Sequence, residues 1–168
     1  MKKICVIGCG GAGKSTFSCK IGAILRLPVY HLDKVFWKPG WIEPEDHEFD
    51  MKLKELVLKP EWIMDGNFKR TMKIRFDEAD TIIYLDLPRH KCLINIFRRY
   101  IKYRGKTRED LPDGCREKLD WEFTKWVWNY PKRSRPLTLE MLEKYWDCKN
   151  VVILKSRKDV KNYLASLV

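Results

Sequence analysis

Residues 8–15 read Gly-Cys-Gly-Gly-Ala-Gly-Lys-Ser, directly after the apolar run Ile4-Cys5-Val6-Ile7 and at the start of a helical stretch from about Lys14 to Leu27. A glycine, four free positions, then Gly-Lys and a hydroxyl residue, set between a strand and a helix, is the pattern of a phosphate-binding loop, or P-loop. The chemistry accounts for each residue type. Glycines let successive backbone N–H groups turn inward on phosphate oxygens, and the N-terminus of the following helix adds partial positive charge. Gly8, Gly10, Gly11, Ala12 and Gly13 are therefore expected to cradle a nucleotide, with Thr16 extending the helix behind them. Lys14 is expected to reach the β- and γ-phosphates and the Ser15 hydroxyl to ligate Mg²⁺. The implied cofactors are ATP and Mg²⁺.

The same glycines fit a second pattern. Gly8-x-Gly10-x-x-Gly13 satisfies the dinucleotide fingerprint, and Asp33 lies 20 residues past Gly13, near where a ribose-binding acid belongs. Lys14-Ser15 decides between the two. A dinucleotide-binding helix packs its first turn on the sheet and has no use for Lys-Ser there, whereas a P-loop requires both.

Strand-like and helical runs alternate along the rest of the chain. Val29–Leu32, Trp62–Met64, Thr81–Leu85 and Val151–Leu154 read as further strands. Glu45–Lys59, Pro88–Tyr103, Asp120–Trp128, Leu137–Tyr145 and Asp159–Leu167 carry helical spacing. Residues 104–120 are polar, with Gly105, Pro112 and Gly114. This alternation predicts an α/β fold of the P-loop NTPase type, a three-layer αβα with a central parallel sheet of about five strands and a helical lid. The 168 residues suit one domain.

Several later segments resemble adenylate kinase and its relatives, which carry Asp-Gly-Phe-Pro-Arg at the end of a central strand. Here Asp65-Gly66-Asn67-Phe68-Lys69-Arg70 stands in the equivalent place, one residue longer and without the proline, so AMP is not assigned as acceptor. His31-Leu32-Asp33, the Phe36–Trp41 stretch, Asp65-Gly66-Asn67 and Leu85-Asp86-Leu87-Pro88-Arg89 together resemble the adenylate-kinase-like bacterial proteins called DNA topology modulation proteins. The resemblance runs over nearly the whole chain. It implies a single kinase-like domain over 1–168, with an acceptor-binding insertion at about 34–61 and a lid at about 104–135.

The net charge of +11 acquires a place on this reading. Residues 98–135 hold 12 Lys and Arg against 6 Asp and Glu. In the resembled fold this stretch is the helix before the lid, the lid, and the helix after it. Arg98, Arg99, Arg104 and Arg108 are candidate clamps on the triphosphate or transition state, with Arg133 and Arg135 closing from the far side. The resemblance further implies that Arg98 or Arg99 stacks on the ATP base. Gly105 and Gly114 are candidate hinges. The plain alternative is a solvated basic face.

Asp33 and Asp65 end the second and third strands, on the carboxyl edge where parallel sheets bind ligands. Asp33 is a candidate base, hydroxyl ligand or water-mediated Mg²⁺ ligand. Asp65 would orient Mg²⁺ water or fix Arg70, which would grip the acceptor. Either aspartate could instead cap a following turn. Asp86 reads as structural, His31 as a packed or hydrogen-bonded residue, and Cys9 occupies a free position of the loop. Trp37 and Trp41 could wall an acceptor or simply pack. Trp121, Phe123, Trp126, Trp128 and Tyr130 read as packing, with stacking on single-stranded nucleic acid as the alternative.

Other classes are disfavoured. No run approaches the roughly 18 uncharged residues a membrane span needs. Met1-Lys2-Lys3 and four apolar residues are too short for a secretory signal. The six cysteines include no Cys-x-x-Cys pair, so they read as reduced thiols of a cytoplasmic protein. The sequence thus predicts an ATP-dependent small kinase acting on a nucleotide, nucleoside or similar small acceptor. Its rival is a nucleotide-binding regulator that interacts with DNA, which a pI near 9.4 also fits.

Overall fold

The computed structural model describes residues 1–167. Five strands form one parallel sheet in the order β2-β3-β1-β4-β5. They are β1 (Lys3–Gly8), β2 (Val29–His31), β3 (Trp62–Asp65), β4 (Thr81–Leu85) and β5 (Asn150–Leu154). Eight helices cover the sheet: α1 (Lys14–Leu25), α2 (Leu32–Phe36), α3 (Asp46–Val57), α4 (Lys69–Glu78), α5 (Arg89–Tyr103), α6 (Trp121–Arg133), α7 (Arg135–Glu143) and α8 (Arg157–Ala165). The expected three-layer α/β architecture is present.

Side chains alternate along β1, and the alternation builds two cores. Ile4 and Val6 face one side with Phe17, Ile21, Ile83 and Leu85. Cys5 and Ile7 face the other with Leu53, Trp62, Met64 and Phe76. Each such aliphatic side chain contributes about 1.5–3 kcal/mol by leaving water, which explains why these strands are apolar on both faces. The central strands end together. Val6 pairs with Asp65 of β3, and Gly8 pairs with Leu85 of β4, so the P-loop and the Asp65 turn emerge side by side.

Local structure departs from the sequence expectation in three places. Leu32 opens the short helix α2 instead of closing β2, because its side chain turns under the sheet and is fully buried. Helix α4 was not anticipated; it is amphipathic only by burying Thr71, Met72, Arg75 and Phe76, and an arginine disguises that face. Helix α6 runs on through Pro131 to Arg133. Its start is fixed by Asp120, whose carboxylate accepts from the Phe123 N–H at 3.1 Å. Residues 104–120, polar and rich in turn formers, hold turns and isolated bridges, Arg104 with Glu117 and Thr107 with Arg116. Pro112 and the positive φ of Gly105 and Gly114 account for the breaks.

Candidate active site

The carboxyl edge of the sheet opens into a cleft of about 1200 Å³. The P-loop forms its floor. Gly11 (φ 75°) and Gly13 (φ 91°) adopt left-handed backbone. A Cβ on Gly11 would stand 2.3 Å from the Cys92 carbonyl oxygen, while one on Gly13 would meet nothing within 4 Å. Gly10 lies beneath the Phe123 ring, so α6 covers the loop directly. Lys14 arches back over the loop, its Nζ donating to the carbonyls of Gly8 (3.0 Å) and Cys9 (3.1 Å).

Side chains from three other elements hold this loop. The Gly8 N–H donates to Asn67 Oδ1 at 3.1 Å. Arg75, completely buried on α4, donates to the Gly66 carbonyl at 2.9 Å and also to that of Asn67. On the opposite side Asn95 Nδ2 donates to the Gly11 carbonyl at 2.8 Å, and Asn95 Oδ1 accepts from Arg157 at 2.7 Å. The sequence motifs assign Asn67 no role and do not single out Arg75, Asn95 or Arg157. An asparagine directly after Asp-Gly at a strand end was the only available signal.

Gly10, Gly11, Ala12, Gly13, Lys14, Ser15, Thr16, Asp33, Arg98, Arg99 and Arg108 line the cleft. Burial pushes the Asp33 carboxyl above the ordinary carboxylate range. Asp65 and Asp110 push the same way, and the charges of Lys14 and Arg108 oppose. Asp65 is 3% exposed and its carboxylate is taken by His31, Nδ1 to Oδ2 at 2.7 Å. His31 Nε2 in turn faces Cys19 Sγ at 3.6 Å. Burial works against the His31 imidazolium, but the hydrogen bond and charge of Asp65, with Asp110 and Asp33, outweigh it and raise the His31 pKa. His31 is thus hydrogen-bonded, as expected.

Arg99 and Arg108 meet over Glu117, a carboxylate whose side chain is 2% exposed, at 2.9 and 2.7 Å. Arg108 also grips Asp110 with a fork of 3.0 and 2.8 Å. Arg70 lies off the cleft, paired with Asp50 (2.6 Å) and Asp46 (3.1 Å) of α3. Arg135 forks onto Asp86 at 2.8 Å, while Arg104 and Arg133 are exposed and away from the cleft lining.

Aromatic residues close the two ends. Phe123 stacks on Trp126 (5.8 Å, 18°), and Trp126 meets Tyr130 edge-on. Trp37 and Trp41 meet edge to face at 5.3 Å, and Trp41 Nε1 donates to the Arg116 carbonyl at 3.0 Å. Cys115 Sγ reaches the Lys38 carbonyl at 3.3 Å. The 104–120 segment is therefore docked on residues 37–42.

This geometry fits a triphosphate and a divalent cation. The loop carbonyls are tied back, its N–H side is open above Gly13, and the half-buried Ser15 hydroxyl makes no hydrogen bond within the described residues.

Comparison of the coordinates with solved structures places this architecture. The shikimate kinase of Acinetobacter baumannii, solved with shikimate, superposes with a TM-score of 0.61 at 16% identity, covering 99% of this chain and 90% of that one. The fold is that of shikimate kinase. A putative kinase from Chloroflexus aurantiacus J-10-fl gives a TM-score of 0.53 at 16% identity, over 99% of this chain and 97% of that one. The shikimate kinase of Bacteroides thetaiotaomicron gives 0.52 at 16% identity, over 98% and 94%. No family model matches the chain, and no curated protein matches it. The small P-loop kinase architecture is thus established at the level of fold, while the resemblance to DNA topology modulation proteins rests on sequence motifs alone. No helix among the described residues is long and apolar enough to cross a membrane.

Proposed function

We propose that the protein is an ATP- and Mg²⁺-dependent small-molecule kinase that phosphorylates a hydroxyl group. The observation that carries this is the position of Asp33 in the P-loop cleft, a carboxylate held above its ordinary range yet close enough to feel the Lys14 charge. A hydroxyl acceptor must lose a proton and benefits from such a base. A phosphate acceptor needs free arginines instead, and Arg70, Arg99 and Arg108 are all engaged with carboxylates. This favours a nucleoside or other small alcohol over a nucleotide.

Mg-ATP supplies the phosphoryl group and the counter-charge, with Ser15 and, through water, Asp33 or Asp65 as the residues that would hold the metal. The loop N–H groups and Lys14 would bind the β- and γ-phosphates, and Arg98 with Lys102 on the same face of α5 would steady the nucleotide. Asp33 would accept the hydroxyl proton as the acceptor oxygen bonds to the γ-phosphorus. The bond from that phosphorus to the β,γ-bridging oxygen breaks, and ADP leaves. Residues 104–135 would act as the lid, with Gly105 and Gly114 as hinges and residues 34–61 as the acceptor-binding insertion, excluding water from the transfer.

The test is ADP release with Mg-ATP against a panel of nucleosides and small alcohols. Acceptor-dependent release is expected, reduced by orders of magnitude in Lys14→Ala and in Asp33→Asn. Near-normal turnover in Lys14→Ala would overturn the reading.

A further inference from the structure

The charge at the Asp33 end of the cleft also constrains the rest of the acceptor, an inference that rests on the kinase reading above. Arg108, the arginine whose charge reaches Asp33, is already committed. Arg108 holds Asp110 at 2.8 Å and Glu117 at 2.7 Å, with side chains 11% and 2% exposed for the second pair. Arg99 shares Glu117, and Arg70 is turned to α3. Removing one member of so buried a pair leaves a desolvated charge, so an incoming carboxylate or phosphate gains nothing by displacing Asp110 or Glu117.

Carboxylates without an ion-pair partner remain there. Asp33, Glu43 and Glu109 line the cleft and make no ion pair within the described residues. The cations around them are otherwise engaged: Lys14 donates to the Gly8 and Cys9 carbonyls, Lys34 to the Glu109 carbonyl at 3.3 Å, and Lys118 lies over the Trp41 ring with its Nζ 5.4 Å from the centroid. Cys19, which also lines this end, reports the same field: burial raises its thiol pKa, and Asp65, Asp110 and Glu109 raise it further.

Trp37 and Trp41 give the same cleft an aromatic wall. Trp41 sits at φ 63°, a conformation bulky residues rarely adopt, and its indole N–H is bonded to Arg116. With Trp37 it offers ring surface beside unpaired carboxylates, the combination that receives organic cations and the apolar faces of sugars.

We propose that the acceptor is a hydroxyl compound bearing a protonated amine and no carboxylate or phosphate, its hydroxyl at Asp33 and its amine toward Glu43 and Glu109 against Trp37 and Trp41.

Three sugars that share a pyranose ring and differ chiefly in charge provide the test: glucosamine, glucose and glucuronate. Binding to the full chain with Mg-ADP present is read by tryptophan fluorescence, and ADP affinity is measured in the same samples. Glucosamine should bind at least about tenfold more tightly than glucuronate, the scale of one charge-assisted contact, with glucose between them. In the Glu43→Gln, Glu109→Gln double variant the gap should shrink several-fold. Tighter or equal binding of glucuronate, no binding of any of the three, or an unchanged gap in the double variant would overturn the proposal. These outcomes with ADP affinity intact count against the acceptor class alone. Failure of the wild-type chain to bind Mg-ADP counts against the kinase reading itself.

Discussion

The Gly8 N–H, at the first glycine of the P-loop, donates to the side chain of Asn67 at the end of β3, 3.1 Å away. Fifty-nine residues separate them in sequence, yet the pair joins the phosphate loop to the Asp65 turn across neighbouring strands. Asn67→Ala leaves that N–H unpaired in a part-buried setting, which costs about 1–3 kcal/mol. Nucleotide affinity should fall by roughly tenfold, on the scale of one lost hydrogen bond. Asn67→Asp keeps the acceptor oxygen, so it should retain more stability while still weakening ATP binding through its charge. Calorimetric titration beside thermal unfolding separates the two effects.

Arg75 holds the same turn from below. It is buried, and its two terminal nitrogens donate to main-chain carbonyls rather than to an acid. Arg75→Met should lower stability by about 2–4 kcal/mol, because it strands the Gly66 and Asn67 carbonyls in a dry environment. Denaturant unfolding checks this. Arg70→Met, five positions earlier and on an exposed pair, should change stability by less than about 1 kcal/mol.

The loop glycines should differ in kind. In Gly11→Ala the new methyl group collides with the Cys92 carbonyl, and the backbone must shift or the helix α5 must move. In Gly13→Ala the methyl group has open space, and the cost is the left-handed backbone alone, roughly 1–2 kcal/mol. Thermal unfolding should therefore show Gly11→Ala clearly below Gly13→Ala. Comparable melting of the two would mean that Cys92 does not press on the loop.

The His31–Asp65 pair gives stability a pH dependence. The folded His31 pKa lies above its ordinary value of 6.5, so protonated His31 favours the folded chain. That contribution is complete below about 6.5 and is lost as pH rises through the folded value. The stability difference between wild type and His31→Gln should accordingly be largest in mild acid and shrink above neutrality. A difference that grows with pH would contradict the pair as described.

Much of the protein was fixed by local sequence, because its signals are contiguous. The eight residues of the P-loop carry their chemistry in the backbone, and glycine spacing with Lys14-Ser15 determines it before any tertiary contact forms. Strand and helix periodicity likewise pointed to a parallel sheet of about five strands, since burial on both faces leaves an apolar mark on the central strands β1, β3 and β4. Asp33 could be picked out because it follows the second strand on the ligand edge, although the structure places it in the first turn of α2 rather than at the strand end. The pairing of charges was different. Twelve cations in residues 98–135 suggested a set of free clamps, but a charge acts through its neighbours in space. Glu117 engages Arg99 and Arg108 together, and Asp86 engages Arg135. Arg70 and Arg75 share one helix, yet α3 draws the first to the surface while the Asp65 turn draws the second into the core. Those choices depend on desolvation and on partners far along the chain, so only the tertiary structure made them.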